Sequence, residues 1–238
     1  MVIIIRRQPE DIGLLPDGDG PQLQGVGPSV LRRHHTAQPH DQDQEDSWSS
    51  REAFKTKSYW LLAVTILMFT MASTGISFNI VPYTQANTGL SSVQAIGVLS
   101  LSTALALGNP IWGYISNTVD PRYGVIAVTV FMALLIIYLS MIQSASAAYT
   151  FGILWGIGMG GLEVLTYVLL ARYFGRASFG SITGAIRPFE AAGLGLGPIL
   201  GGAIFDLTGT YHGLFIASIS AFLVATVLLF LAVQPTKS

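Results

Sequence analysis

Six long apolar runs, separated by short polar breaks, dominate the chain after residue 58. Each run is about 20–25 residues long, the length that an α-helix needs to cross a bilayer with some tilt. The breaks are only long enough for turns, so neighbouring helices should run antiparallel. The pattern predicts an all-α membrane protein with one six-helix transmembrane bundle at 59–233 and a cytoplasmic tail at 234–238. The runs cover residues 59–83, 92–115, 123–143, 148–170, 180–204 and 212–233.

The segment before the first run is polar. Residues 6–58 hold seven of the 12 Lys and Arg residues and nine of the 13 Asp and Glu residues. They are also rich in Pro, Gly, Gln and Ser, and such a composition cannot bury enough apolar surface to order itself. We therefore predict a mostly disordered cytoplasmic linker. At its end, Ser49 and Glu52 have the spacing of a capping box, which predicts a short helix.

The first five residues have a different character. Their apolar stretch is shorter than the core of about 7–15 residues that a signal peptide needs. It stops at Arg6 and Arg7, as a spanning helix stops at the cytoplasmic surface. We interpret residues 1–5 as the tail of a preceding transmembrane helix and the chain as a fragment.

The composition excludes several functions. The chain has no cysteine, which excludes disulfides, thiolate catalysis and cysteine-based metal sites. His34, His35, His40 and Asp41 show no recurring ligand spacing, so a solvated polar tract is favoured and no metal or cofactor is expected. An intramembrane serine protease would need a facing histidine, and His212 lies at the outer edge of a run, so we expect no enzyme. A net charge of -1 gives no indication of a nucleic-acid partner.

The basic residues predict the orientation. If residues 6–58 are cytoplasmic, the inside segments carry eleven of the 12 basic residues and the outside loops carry none. The positive-inside rule then places both termini in the cytoplasm and the protein in the cytoplasmic (inner or plasma) membrane. The inside residues are Arg6, Arg7, Arg32, Arg33, Arg51, Lys55, Lys57, Arg122, Arg172, Arg176 and Lys237.

Two glycine stripes indicate close helix packing. Glycines recur every four residues on the fourth and fifth runs, so each set lies on one helix face. Small residues let helix backbones approach closely in lipid, where water supplies no hydrophobic force between helices. The pattern leaves open whether the contacts only pack or also slide. The stripes are Gly152, Gly156 and Gly160, and Gly193, Gly197 and Gly201.

Three charged residues lie inside the runs. Glu163 and Arg187 each lie seven residues from the cytoplasmic end of their run, which places both about 10 Å deep in the membrane. An ion pair between the two helices is therefore predicted. Glu190, one turn from Arg187, is a candidate proton carrier. Charge within the membrane is costly and marks a functional site by default, although a purely structural salt bridge is the alternative. Pro188 predicts a kink in the same helix. Asn79, in a polar half of the first run, is a further candidate for substrate or ion coupling.

Several segments resemble the major facilitator superfamily of transporters. YFGRASFGSITG and GLGLGPILGGAIFDLTGTY resemble the eleventh helix, especially of bacterial members near the oxalate/formate and monocarboxylate branch. SSREAFKTKSYWLLAV resembles the end of the central loop and the start of helix seven, and RRQPEDIGLLPDGD resembles the exit from helix six. The resemblance implies the C-terminal half of a twelve-helix fold.

The chain departs from the family pattern at two places. The loop between helices eight and nine usually reads GxxxDRxGRR, and here Gly113 is followed by Asn117 in place of the Asp. Asp120 and Arg122 match the rest of that gating loop loosely. The carboxylate branch often has an Arg before the Pro of helix eight, where this chain has Asn109. Arg187 is a candidate replacement for it.

The resemblance implies a secondary active transporter of a small organic solute, a symporter or antiporter that works by alternating access. A carboxylate is a candidate solute, with a proton as a candidate coupled ion. Its partners would be the bilayer, the solute and a missing N-terminal six-helix half. The alternative is a self-contained six-helix membrane scaffold or channel-like protein.

Overall fold

A computed structural model describes residues 48–107, 111–175 and 179–235 of the chain. These residues form eight helices and no strand, which confirms the all-α prediction. The predictions for residues 1–47, including the tail at 1–5 and most of the linker, lie outside the described residues. The helices are α1 Ser50–Ala53, α2 Lys57–Thr88, α3 Ser92–Leu107, α4 Ile111–Thr118, α5 Pro121–Ser140, α6 Ala145–Phe174, α7 Phe179–Thr208 and α8 His212–Leu231.

The helices match the six apolar runs. Five of them, α2, α5, α6, α7 and α8, are long and apolar enough to cross a membrane. Helices α3 and α4 are inclined by 46° and together make the sixth candidate span. Helix α7 is continuous through Pro188, and α2 is continuous through Pro82. Prolines are tolerated in such helices because neighbouring groups and local adjustments satisfy the backbone groups that proline frees.

Both glycine stripes lie at helix crossings, but they do not face each other. On α6, a Cβ added at Gly160 would lie 2.8 Å from the Ala106 carbonyl oxygen of α3. On α7, a Cβ added at Gly193 would lie 2.9 Å from the Leu67 carbonyl oxygen of α2. The stripes therefore hold α6 against α3 and α7 against α2. The other four glycines meet the partner helix too, at Val98 and Ser102 on α3 and at Thr74 and Asn79 on α2.

One end of the bundle carries the charged loops. There the Arg122 guanidinium donates to the Leu229 and Phe230 carbonyl oxygens at the end of α8. The Tyr173 hydroxyl donates to the Ala232 carbonyl oxygen at 2.8 Å. These bonds satisfy carbonyl groups that a helix end leaves without intrahelical partners. The Ser49–Glu52 capping box forms beside them, since each backbone N–H donates to the other residue's side chain.

The opposite end carries aromatic residues. The Tyr83 hydroxyl donates to the Leu139 carbonyl oxygen at 3.1 Å and so ties α2 to α5. The Phe205 and Tyr211 rings stack with their centroids 4.4 Å apart, and Tyr211 also contacts Phe215. Burial raises the pKa of the Tyr211 phenol. Aromatic rings of this kind are enriched where a transmembrane helix meets the interface.

Candidate functional site

A cavity of about 210 Å³ lies between α2, α6 and α7. Apolar side chains make up much of its wall, among them Ile66, Phe69 and Leu162. About half of the lining residues are polar, and these are the groups that could orient a bound molecule. The polar lining residues are Thr70, Ser73, Thr74, Glu163, Thr166, Tyr167 and Glu190.

An ion pair lies at the edge of this cavity. Arg187 Nη1 is 2.8 Å from Glu190 Oε2, and the two residues are three apart on α7, a spacing that places both side chains on one helix face. The Tyr167 hydroxyl of α6 donates to the same Oε2 atom at 3.2 Å. Its ring centroid lies 5.4 Å from the Arg187 guanidinium carbon, within the range of a cation–π contact. The carboxylate oxygen of Glu190 therefore accepts from two different helices.

The pairing differs from the predicted interhelical pair of Glu163 with Arg187. Glu163 lines the cavity, but its carboxylate forms no ion pair with any described residue. Two side chains at the same depth in the membrane can still point in different directions around their helix axes, so equal depth does not bring them into contact. A partner on the same helix is already within reach, and α6 presents Tyr167 to the pair instead of Glu163.

Asn79 is placed away from the cavity. Its side-chain amide donates to the Gly75 carbonyl oxygen of its own helix at 2.8 Å. The residue packs at the α2–α7 crossing, where its Nδ2 atom would meet a Cβ at Gly201. The structure therefore places Asn79 outside this cavity, and its role in substrate or ion coupling stays a prediction. Asn109, the other predicted asparagine, lies outside the described residues.

The predicted gating-loop residues do not form one cluster. Gly113 and Asn117 lie on α4, which buries none of its residues. Asp120 accepts from the Arg122 backbone N–H at 3.0 Å and so caps the start of α5. Its other carboxylate oxygen lies 3.4 Å from Arg172 at the end of α6. Arg122 turns instead towards the end of α8.

Sequence reasoning missed five polar residues of the cavity: Thr70, Ser73, Thr74, Thr166 and Tyr167. Tyr167 lies four residues after Glu163, so helical spacing could have placed it on the same face. Ser73 and Thr166 carry the weaker signal of single hydroxyls in apolar runs. Within the described ranges, no group of three or more His, Cys, Asp and Glu residues could hold a metal ion.

Comparison with known proteins identifies relatives. The family model of the Major Facilitator Superfamily matches residues 25–193 and 62–238. Monocarboxylate transporter 2 of Meriones unguiculatus is 30% identical over 155 residues, which are 63% of this chain and 32% of the relative. A probable nitrate/nitrite transporter, NarK2 of Mycobacterium tuberculosis, is 33% identical over 127 residues, 50% of this chain and 30% of the relative. The chain spans about a third of the length of the curated relatives it matches.

Proposed function

The chain belongs to the Major Facilitator Superfamily, and from this premise we propose that it forms one half of a secondary active transporter for a small organic anion. Membership of this family points to transport rather than catalysis. The proposed mechanism is alternating access, with Arg187 as the residue that binds the anion. The observation that carries the proposal is the Arg187–Glu190–Tyr167 cluster at the edge of the cavity.

Arg187 suits an anionic solute for electrostatic reasons. A guanidinium does not lose its proton in proteins, so within a membrane it needs a negative partner. Glu190 supplies that partner when the site is empty. The Arg187 side chain is 62% exposed, so an incoming anion has access to it. A carboxylate could replace Glu190 through two parallel hydrogen bonds, because its geometry matches the planar guanidinium.

The lining of the cavity favours a monocarboxylate over an inorganic anion. Apolar residues such as Phe69, Leu162 and Leu194 line it beside the charged cluster. They could bury the carbon chain of a carboxylate, whereas nitrate has no apolar part to bury. The relatives' names, monocarboxylate and nitrate/nitrite transporter, both refer to anions. We therefore assign a carboxylate with an apolar body.

The two acidic residues are the proposed proton carriers. When a solute carboxylate binds Arg187, Glu190 loses its positively charged partner. Protonation of Glu190 then removes the cost of an unpaired charge in the membrane. Glu163 lines the same cavity without an ion pair among the described residues, so it is a second candidate. This exchange would couple solute movement to a proton.

The second half of the transporter is the proposed partner of the exposed helices. Helix α4 buries none of its residues, and α7 buries only Ile182, Ile186 and the three glycines of its stripe. Apolar side chains on the free face of α7 include Leu196 and Ile199. We propose that an N-terminal six-helix half covers part of this surface. A self-contained scaffold remains the alternative, and it predicts no solute binding.

Binding to the purified chain in lipid nanodiscs tests this function. Isothermal titration with pentanoate should give saturable heat, and sodium nitrate should bind at least about tenfold more weakly, because it gains nothing from the apolar wall. Arg172, at the end of α6 and away from the cavity, provides the control as Arg172→Gln, which should bind pentanoate normally. No saturable heat with pentanoate, or equal affinity for nitrate, would contradict the proposal and favour the scaffold.

We also propose that both termini and the charged end of the bundle face the cytoplasm. Since the chain has no cysteine, single cysteines can be labelled without background. A cysteine at exposed Asn117 should react with a membrane-impermeant maleimide only after cells are opened. One at exposed Gln143, on the opposite end, should react in intact cells. The reverse pattern would overturn the orientation.

A further inference from the structure

Two residues that line the cavity have buried hydroxyl groups without a hydrogen-bond partner. They are Ser73 of α2 and Thr166 of α6, which are 2% and 4% exposed. Within the described part of the chain, no other buried side-chain oxygen or nitrogen lacks a partner. Both residues line the cavity. A buried polar group left unpaired costs free energy, so each of these hydroxyls calls for a partner.

Neighbouring hydroxyls in the same helix are satisfied differently. Thr74 donates to the Thr70 carbonyl oxygen at 2.8 Å, and Thr65 donates to the Leu61 carbonyl oxygen at 2.8 Å. This bond to the preceding turn is the usual solution for Ser and Thr inside a helix. Ser73 does not use it. Its free hydroxyl is therefore a feature of this cavity and not a general property of hydroxyls in α2.

The two hydroxyls lie at different heights in the cavity. The contacts of Gly193 with Leu67 and Thr70 fix the register of α7 against α2. Glu190, three residues before Gly193, therefore lies near the height of Leu67. Ser73 lies six residues beyond Leu67, about 9 Å further along the helix axis. Thr166 directly precedes Tyr167, whose hydroxyl reaches Glu190, so it belongs to the end of the cavity that holds the ion pair.

We propose that these hydroxyls, once rotated about their Cα–Cβ bonds into the cavity, are the solute's hydrogen-bonding positions, with Thr166 contacting the carboxylate beside Arg187 and Ser73 contacting a second oxygen remote from it. This inference rests on the proposed function and assigns the specificity of its site. A site with a hydrogen-bonding group discriminates against an analogue that leaves this group unpaired. The preferred solute is thus a carboxylate with a hydroxyl or carbonyl oxygen near the far end of its chain.

Three five-carbon acids, which differ in the presence and position of a hydroxyl group, test whether the solute's second oxygen contacts Ser73. They are pentanoate, 5-hydroxypentanoate and 2-hydroxypentanoate, titrated into the nanodisc-embedded chain. Wild type should bind 5-hydroxypentanoate about fivefold to tenfold more tightly than pentanoate, the effect of one net hydrogen bond. The 2-hydroxy isomer should gain less, because its hydroxyl lies beside the carboxylate and away from Ser73.

Two variants locate the effect. Ser73→Ala should bring 5-hydroxypentanoate to the affinity of pentanoate and leave pentanoate itself unchanged. Thr166→Val keeps the shape and removes the hydroxyl, so it should weaken all three acids by a similar factor. Thr65→Ala provides the control, because Thr65 is buried on the same helix but does not line the cavity. It should preserve the order of affinities.

Thermal unfolding without solute gives an independent measurement. Ser73→Ala should unfold no earlier than wild type, because it removes an unpaired hydroxyl. Loss of folding, or a clear loss of stability, would show a structural role and overturn the inference. Equal binding of pentanoate and 5-hydroxypentanoate by wild type would also overturn it while leaving the proposed function intact. Failure to bind any of the three acids would instead contradict the proposed function.

Discussion

Gly197→Ala should destabilise the bundle, whereas Gly195→Ala, two residues earlier on the same helix, should not. A Cβ at Gly197 would overlap the Thr74 hydroxyl and the Met71 carbonyl oxygen of α2. Backbone atoms cannot move aside cheaply, so α7 would have to shift away from α2. Overpacking of this kind typically costs about 1–3 kcal/mol. A Cβ at Gly195 meets no atom within 4 Å, and alanine is favoured over glycine in a helix by about 1 kcal/mol.

The two substitutions are chemically identical, so their comparison isolates the effect of helix approach. Thermal unfolding in detergent, followed by light scattering and size-exclusion chromatography, provides the measurement. We expect Gly197→Ala to lower the unfolding temperature and Gly195→Ala to leave it unchanged or raise it. If both variants lowered it equally, the glycines would matter only through backbone conformation. The close α2–α7 crossing would then not determine stability.

Most of the fold could be predicted because every helix that crosses a bilayer needs an apolar run of about 20–25 residues. The run at 180–204 became α7, Phe179–Thr208, and the run at 123–143 became α5, Pro121–Ser140. The resemblance to the Major Facilitator Superfamily is confirmed by the family match. The bend between α3 and α4 was not predicted. Helices α2 and α7 are continuous through Pro82 and Pro188, so proline alone does not determine where a helix ends.

The details of the site were harder to predict, because they depend on rotation about each helix axis. The positions of Glu163, Arg187 and Glu190 in their apolar runs predicted similar depths in the membrane, and both glutamates line the cavity. Height did not determine which of the two acids pairs with Arg187. Nor could a sequence show that Ser73 lacks a partner while adjacent Thr74 bonds to its own helix. Such differences arise from side-chain rotamers and from the shape of the neighbouring helix.

Replacing both members of the ion pair should weaken carboxylate binding strongly without unfolding the chain. In Arg187→Met with Glu190→Leu, both charges are absent, and apolar replacement of an ion pair is often neutral or stabilising. If Arg187 binds the solute, pentanoate affinity in nanodiscs should fall by about 10- to 100-fold, the effect of losing hydrogen bonds to a charged group. The Arg172→Met with Asp120→Asn variant is the matched control, because it removes an ion pair away from the cavity and keeps a side-chain oxygen to cap α5.

Single substitutions at Arg187 and Glu190 show whether Arg187 binds the solute or only neutralises the charge of Glu190. Arg187→Lys keeps the positive charge but loses the planar fork, so it should bind pentanoate much more weakly than wild type although the bundle remains folded. Glu190→Gln should retain binding, because the solute carboxylate itself replaces Glu190 in the proposed exchange. It should also reduce the proton uptake that accompanies binding, measured with a pH-sensitive dye. Wild-type affinity in a folded Arg187→Met, Glu190→Leu variant would show that the pair is structural, since a solute held by the guanidinium cannot bind normally once that group is gone.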